Sequence, residues 1–214
     1  MIFKNRVEAG VQLASALMSY VGSRPVVLGL PRGGVPVARE VAAVLHAPLD
    51  ILVVRKIGLP FQPEVAMGAV GEGGVAIRNR DTMRLASVSD EQFLAVELHE
   101  LGEVERRCRR YRGTRPMADL TGKVAIIVDD GVATGATASA AISVARAHGA
   151  AFVVMATPVS SAEAADDLAE QADDFVAIQT PADMLAVGYL YNDFTPTTDD
   201  EVERILAEAH AARL

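Results

Sequence analysis

The segment VAIIVDDGVATGAT, residues 124–137, constrains the fold more than any other part of the chain. Its apolar run is too short for a helix and does not alternate with polar residues. It therefore reads as a strand buried on both faces, as strands of parallel sheets are. Two carboxylates and a stretch of small residues then force a tight turn, and residues 137–148 read as a helix. Strand, loop and helix in that order place the loop at the carboxyl edge of a sheet, where ligands sit in open α/β folds.

The alternation continues in both directions. Downstream come a strand at 152–156, a helix capped by Ser160 with Glu163, a strand at 174–178, and a last helix starting near Thr198 with Glu201 completing a capping box. Upstream, Asn5 caps a helix with Val7, Val11, Ala14, Leu17, Met18 and Val21 at helical spacing, which ends near Gly22. A strand at 26–30 then enters the loop PRGG, followed by a helix at 35–46 and a strand at 50–54. This order predicts an α/β fold, a parallel sheet flanked by crossover helices. The 214 residues suit a single domain spanning 1–214, and an aromatic content of only 5% fits helices on a sheet better than an aromatic-rich sandwich.

Residues 55–88 break the pattern, because Gly58, Pro60, Pro63, Gly68, Gly71, Gly73 and Gly74 interrupt any helix. The expectation here is a flexible loop followed by a hairpin over 65–78 that turns at EGG. Ser89 and Gln92 form a capping box for a long amphipathic helix at 89–111, in which Leu94, Leu98, Leu101, Val104 and Cys108 recur at steps of three and four. Its end carries Arg106, Arg107, Arg109, Arg110 and Arg112. Two readings stay open: these arginines complement the negative end of the helix dipole, or they meet an anionic ligand or partner.

The net charge of −8 gives no global field toward nucleic acid or anionic lipid, so nucleic acid is not an expected partner. Cys108, the single cysteine, excludes an intrachain disulfide or a cysteine-rich zinc site and fits a reducing compartment. His46, His99, His148 and His210 have no metal-ligand spacing. No apolar run is long enough for a signal peptide or a membrane span, so a cytoplasmic location without membrane partners is the expectation.

The chemistry of residues 129–137 follows from residue types. Small residues let backbone N–H groups converge, and the helix that follows adds partial positive charge, so the loop can cradle a phosphate. Thr134 and Thr137 add hydroxyl donors and Gly135 lets the backbone approach closely. Asp129 and Asp130 would repel a bare polyphosphate but suit the vicinal hydroxyls of a ribose. A nucleotide-binding Walker loop would need a Lys after Gly that is absent here, and a phosphatase pair would want a residue between its aspartates. At the first strand, Arg32, Gly33 and Gly34 offer a second anion loop, and Arg55 and Lys56 bring two more cations to the same edge. Arg78, Arg80 and Arg84 read more simply as solvated charges.

The fourteen residues 124–137 resemble the signature of the type I phosphoribosyltransferases. The resemblance implies that Asp129 and Asp130 hold the ribose of phosphoribosyl pyrophosphate, and that Ala133, Thr134, Gly135, Ala136 and Thr137 surround its 5-phosphate. Hypoxanthine-guanine members carry an aspartate where this chain has Ala133, so the adenine and orotate branches, or members of unknown acceptor, are more similar. Residues 30–34 resemble the family's pyrophosphate loop, often built with a cis peptide, and residues 55–58 resemble the start of its mobile loop. Arg32 and Lys56, with Mg²⁺, are then expected to stabilise charge on the departing pyrophosphate. Asp129 and Asp130 are the side chains that could contact the metal. The acceptor, a nitrogenous base, is expected under a hood drawn from residues 181–196. There Tyr189, Tyr191 and Phe194 either stack on it, with Asp193 reading a ring nitrogen, or pack the last helix. A homodimer is compatible with this reading. The resemblance also leaves a rival: a non-catalytic regulator that senses phosphoribosyl pyrophosphate or binds nucleic acid through Arg106–Arg115.

Overall fold

The computed structural model of the protein describes residues 1–212; positions 213–214 of the expected domain lie outside the described residues. Elements are numbered in chain order. Strands β1 (Val26–Gly29), β2 (Leu49–Ile51), β6 (Val124–Val128), β7 (Phe152–Val159) and β8 (Asp174–Gln179) form a parallel sheet in the order β2-β1-β6-β7-β8. Helices α1 (Arg6–Ala16) and α2 (Gly34–Leu45) cover one face, and α5 (Ala136–Ala147) and α6 (Ala162–Gln171) the other.

Burial on both faces accounts for the unbroken apolar strands. Val27, Ile126, Val128 and Val154 pack with Leu13 and Val41, while Leu28, Ile127 and Met155 point the other way onto Ile142 and Leu168. Successive strand residues alternate faces, so a strand covered on both sides has no position left for a polar residue. In register, Gly29 pairs with Val128. The carboxyl ends of β1 and β6 therefore lie side by side, which brings residues 30–34 against residues 129–131.

Residues 54–78 correct the expectation of a flexible loop. They form a three-stranded antiparallel sheet of β3 (Val54–Leu59), β4 (Gln62–Gly71) and β5 (Val75–Arg78), followed by α3 (Arg80–Leu85). The hairpin at EGG is present between β4 and β5, but Arg55–Gly58 lie in a strand, with a tight turn at Pro60 and Phe61 joining β3 to β4. The reason is apolar patterning that the glycines obscure: Ile57, Leu59, Met67 and Val70 are buried against Phe93 and Val104 of α4 (Asp90–Arg112) and against Ile205 of α7 (Asp199–Ala211). Strand β2 stops at Ile51 rather than at the expected Val54, since the Val53 N–H donates to Glu72 Oε1 (3.0 Å) instead of continuing the ladder.

The predicted caps hold at three helices. Asn5 caps α1, Ser89 and Gln92 form a reciprocal capping box on α4, and Thr198 caps α7. At α6 the cap is Ser161, not Ser160, whose backbone bridges to Val132. Helix α1 ends at Ala16, short of the expected Gly22, and a 3-10 turn follows at Met18–Tyr20.

Arg112 ties the two sheets together. Its Nε donates to Asp50 Oδ1 (2.9 Å), Nη1 and Nη2 donate to the Glu72 carboxylate (2.5 and 3.1 Å), and Nη2 also reaches the Ile51 carbonyl (3.0 Å). All three charged residues are buried. Among the described residues no helix is long and apolar enough to cross a membrane.

Candidate active site

Asp129 and Asp130 stand at the end of β6, as the sequence predicts. The Asp129 N–H donates to Ala156 O (3.2 Å), and the Asp130 N–H turns back onto Asp129 Oδ1 (2.9 Å). Burial, and then the charge of Asp130, push the Asp129 carboxyl well above the usual carboxylate range, against the opposing pull of Arg6. Hydroxyl donors or a cation arriving here would relieve that accumulation of negative charge.

The loop that follows is pinned at its base and open at its tip. The Val132 N–H donates to Val159 O (2.9 Å), the Val132 carbonyl accepts from the Ser161 N–H (2.9 Å), and Ser161 Oγ donates to the Ala133 carbonyl (2.7 Å). Gly135, at φ 73°, is the N-cap of α5, which begins at Ala136, one residue before the expected start. A left-handed residue there would strain any side chain, so glycine is required. Thr134 and Thr137 are exposed beside it, so their hydroxyls and the first N–H groups of α5 are available to an anion.

Residues 30–34 pack directly on this loop. The Pro31–Arg32 peptide bond is cis, as the family resemblance implies. A Cβ on Gly33 would overlap the Asp130 carboxylate, and one on Gly34 would collide with the Val128 carbonyl and lie 2.9 Å from the Asp129 Cα. The Arg32 side chain turns aside: it is half-exposed, with Nη1 3.6 Å from Asp199 Oδ1. Asp199, at the start of α7, is held below the ordinary carboxylate range chiefly by the hydrogen bond from Tyr111, then by Arg110 and Arg32.

A cavity of about 550 Å³ joins the two loops to the antiparallel sheet. Pro31, Arg55, Lys56, Glu100, Arg107 and Thr137 all border it. Arg55 Nε donates to Glu100 Oε2 (2.5 Å), and Arg107 Nε to Glu103 Oε1 (2.8 Å). The structure thus unites Arg55 and Lys56 with both loops and adds from α4 Glu100, for which the sequence carries no signal, and Arg107, one of the arginines the sequence left open between the helix dipole and an anionic ligand. Arg78 lies over Phe93 and pairs with Glu97, and Arg84 pairs with Asp81.

The residues expected to form the hood are employed in packing against the N-terminal segment. Tyr191 is buried, its hydroxyl donates to the Asp130 carbonyl (2.6 Å), and its ring lies between Phe3 and Phe194. The packing reading therefore prevails for Tyr191, against Phe3 rather than the last helix. Asp193 accepts from the Thr195 N–H and hydroxyl, and Tyr189 is exposed. Arg6, which nothing in the sequence marks out, reaches from α1 to place Nε on Asp130 Oδ2 (2.8 Å), Nη1 on the Thr195 carbonyl (2.8 Å), and its guanidinium 4.0 Å above the Phe194 ring.

The arginines at the end of α4 are internally compensated. Arg106 and Arg107 bond Glu103, Arg109 pairs with Glu105, Arg110 with Asp199, Asp200 and Glu203, and Arg112 is buried. Burial, and then the nearby Glu72 charge, push the Cys108 thiol up to about 12, which keeps it unreactive.

The family model for the phosphoribosyl transferase domain matches residues 5–189. The chain belongs to the type I phosphoribosyltransferase family. A Mycobacterium tuberculosis protein, found in two strains and carrying a provisional description as a phosphoribosyl transferase, is 53% identical over 209 residues. That match covers 98% of this chain but 47% of the relative, so this chain spans about half the length of the curated relatives it matches. A crystal structure of a Thermus thermophilus protein superposes with a TM-score of 0.90 at 45% identity, covering 97% of this chain and 99% of that one.

Proposed function

We propose that this phosphoribosyltransferase binds phosphoribosyl pyrophosphate across the two loops and transfers its phosphoribosyl group to a nitrogenous base. The observation that carries the reading is the juxtaposition of the Asp129–Asp130 pair, the Thr134–Thr137 helix start and the Pro31–Gly34 loop beside a cavity lined by Arg55, Lys56 and Arg107. The 5-phosphate takes the N–H groups and hydroxyls at the start of α5, and the ribose hydroxyls donate to the two carboxylates. The pyrophosphate lies along residues 31–34 toward Lys56. The acceptor nitrogen attacks C1 as the C1–O bond breaks. Pyrophosphate leaves with the bonding pair, and the nitrogen releases its proton to solvent.

Electrostatics carries most of this chemistry. Cations around the cavity stabilise charge gathering on pyrophosphate, and the carboxylates favour the cation-like sugar of the transition state. Among the described residues no group of three or more His, Cys, Asp or Glu side chains could hold a metal. Mg²⁺ would thus take most of its oxygens from the ligand, with Asp129 and Asp130 as the protein's contribution. Bound there, it supplies further positive charge to the leaving group. Arg32 would have to swing from Asp199 to join in.

Incubation with phosphoribosyl pyrophosphate, Mg²⁺ and a panel of purines, pyrimidines and pyridine carboxylates is expected to release pyrophosphate with one acceptor class. Binding without turnover for every acceptor would favour the sensor reading instead. The paired arginines of α4 argue against nucleic acid as the ligand. Asp130→Asn and Thr134→Val are each expected to weaken phosphoribosyl pyrophosphate binding about tenfold or more, the worth of a hydrogen bond to a charged group. Calorimetric affinity unchanged in both variants would refute the site.

A further inference from the structure

Arg6 sits where three parts of the molecule meet. Its guanidinium is anchored by the Thr195 carbonyl and the Phe194 ring, both in the hood, and reaches Asp130 Oδ2. The hood is itself zipped to the N-terminal segment: the Phe3 N–H donates to Leu190 O (2.9 Å), Asn192 N–H to Phe3 O (2.8 Å), and Asp193 N–H to Lys4 O (3.0 Å). One arginine therefore joins the hood to the carboxylate pair at the end of β6.

The distribution of hydrogen bonds over the two aspartates is uneven. Arg6 takes Asp130 Oδ2, and the Asp130 N–H takes Asp129 Oδ1. These two bonds leave one further oxygen on each aspartate, and two vicinal hydroxyls need two acceptors. A carboxylate gripped at one oxygen by a fixed guanidinium cannot rotate freely, so its second oxygen is held in place. Gly33 packs against the same carboxylate, where a Cβ would come nearest to Oδ2, the oxygen that Arg6 holds.

We infer that Arg6 is a positioning residue for the ribose: it fixes Asp130 so that one oxygen of each aspartate faces the sugar hydroxyls, and it ties that arrangement to the hood. The inference rests on the donor reading above. Arg6 touches Asp130 rather than the ligand, so its loss should fall on ribose recognition and spare phosphate recognition.

The test is calorimetry of the whole chain with ribose 5-phosphate and, separately, with inorganic phosphate, for the wild type, Arg6→Gln and Arg6→Lys. Arg6→Gln is expected to lose about tenfold in ribose 5-phosphate affinity, the scale of a charge-assisted hydrogen bond, with phosphate affinity unchanged. Arg6→Lys, which keeps the charge but not the fork, should recover part of the loss. Unchanged ribose 5-phosphate affinity in Arg6→Gln would overturn the inference alone. Equal losses for both ligands would also overturn it, since the whole loop would then be disturbed. If the wild type binds no ribose 5-phosphate, the donor reading fails and this inference with it.

Discussion

Gly33→Ala is expected to cut phosphoribosyl pyrophosphate affinity and any turnover by at least ~10²-fold while the protein stays folded, because displacing a ligand-binding group by about 1 Å can cost that much. The added methyl would occupy the space of the Asp130 carboxylate. That carboxylate is the end of a side chain, so it can swing away, breaking its bond to Arg6 and leaving the ribose without one acceptor. Gly34→Ala is the informative contrast. Its methyl would meet the Val128 carbonyl and the Asp129 Cα, which are backbone and cannot move without shifting β6. Overpacking of that kind destabilises by about 1–3 kcal/mol. Thermal melts together with calorimetry separate the two: Gly33→Ala should melt near the wild type and bind poorly, whereas Gly34→Ala should melt lower. Normal binding by Gly33→Ala would show that the two loops do not act on one ligand.

The contrast also explains which parts of the site are legible in sequence. Residues 124–137 are a local device: strand, acids, turn and helix start are contiguous, and each residue type has a local reason to be there, so their reading transfers directly to the structure. The Pro31–Gly34 loop is legible as a strand-to-helix turn, but its contact with Asp130 depends on the β1–β6 register, which no local pattern reveals. Arg6 is invisible for the same reason. It lies one residue after a helix cap, where a charged residue needs no explanation, and its partner is 124 positions away. Arg107 and Glu100 look like helix surface, because a flexible loop in place of the antiparallel sheet would leave that face of α4 to solvent instead of making it a cavity wall. Gly58, Gly68 and Gly71 weigh as breakers in the sequence and mask the burial of Ile57, Leu59, Met67 and Val70. Local preference yields to packing when a short strand has a large helix to lie on.

The basic end of α4 carries the same lesson about charge. By sequence Arg106, Arg107, Arg109, Arg110 and Arg112 are one cluster. In the fold, four of them lie at or near the surface in ion pairs, while Arg112 is enclosed with Asp50 and Glu72. A helix that lies between a sheet and solvent presents successive residues to different environments, so adjacent arginines have unrelated energetic roles.

Arg112→Ala should therefore destabilise the protein by about 3–5 kcal/mol, the cost of leaving a buried charge without its partner. Asp50 would keep the N–H groups of Ile51 and Ala118, and Glu72 that of Val53, but both carboxylates would lose the guanidinium that neutralises them. Out of a total stability of roughly 5–15 kcal/mol this is a large share. Arg109→Ala, which removes an exposed pair with Glu105, should cost no more than about 1 kcal/mol. Urea midpoints of the two variants make the comparison, and a similar shift for both would refute the buried network as a staple. Arg112→Lys should not restore stability, because an ammonium cannot bridge Asp50, Glu72 and the Ile51 carbonyl at once as the planar fork does. The loss should also reach the candidate site. Glu72 lies at the turn that closes β4 and β5, and its carboxylate holds the Val53 N–H immediately before β3, the strand that delivers Arg55 and Lys56 to the cavity. Loosening this junction should raise the donor KM at urea concentrations below those that unfold the chain.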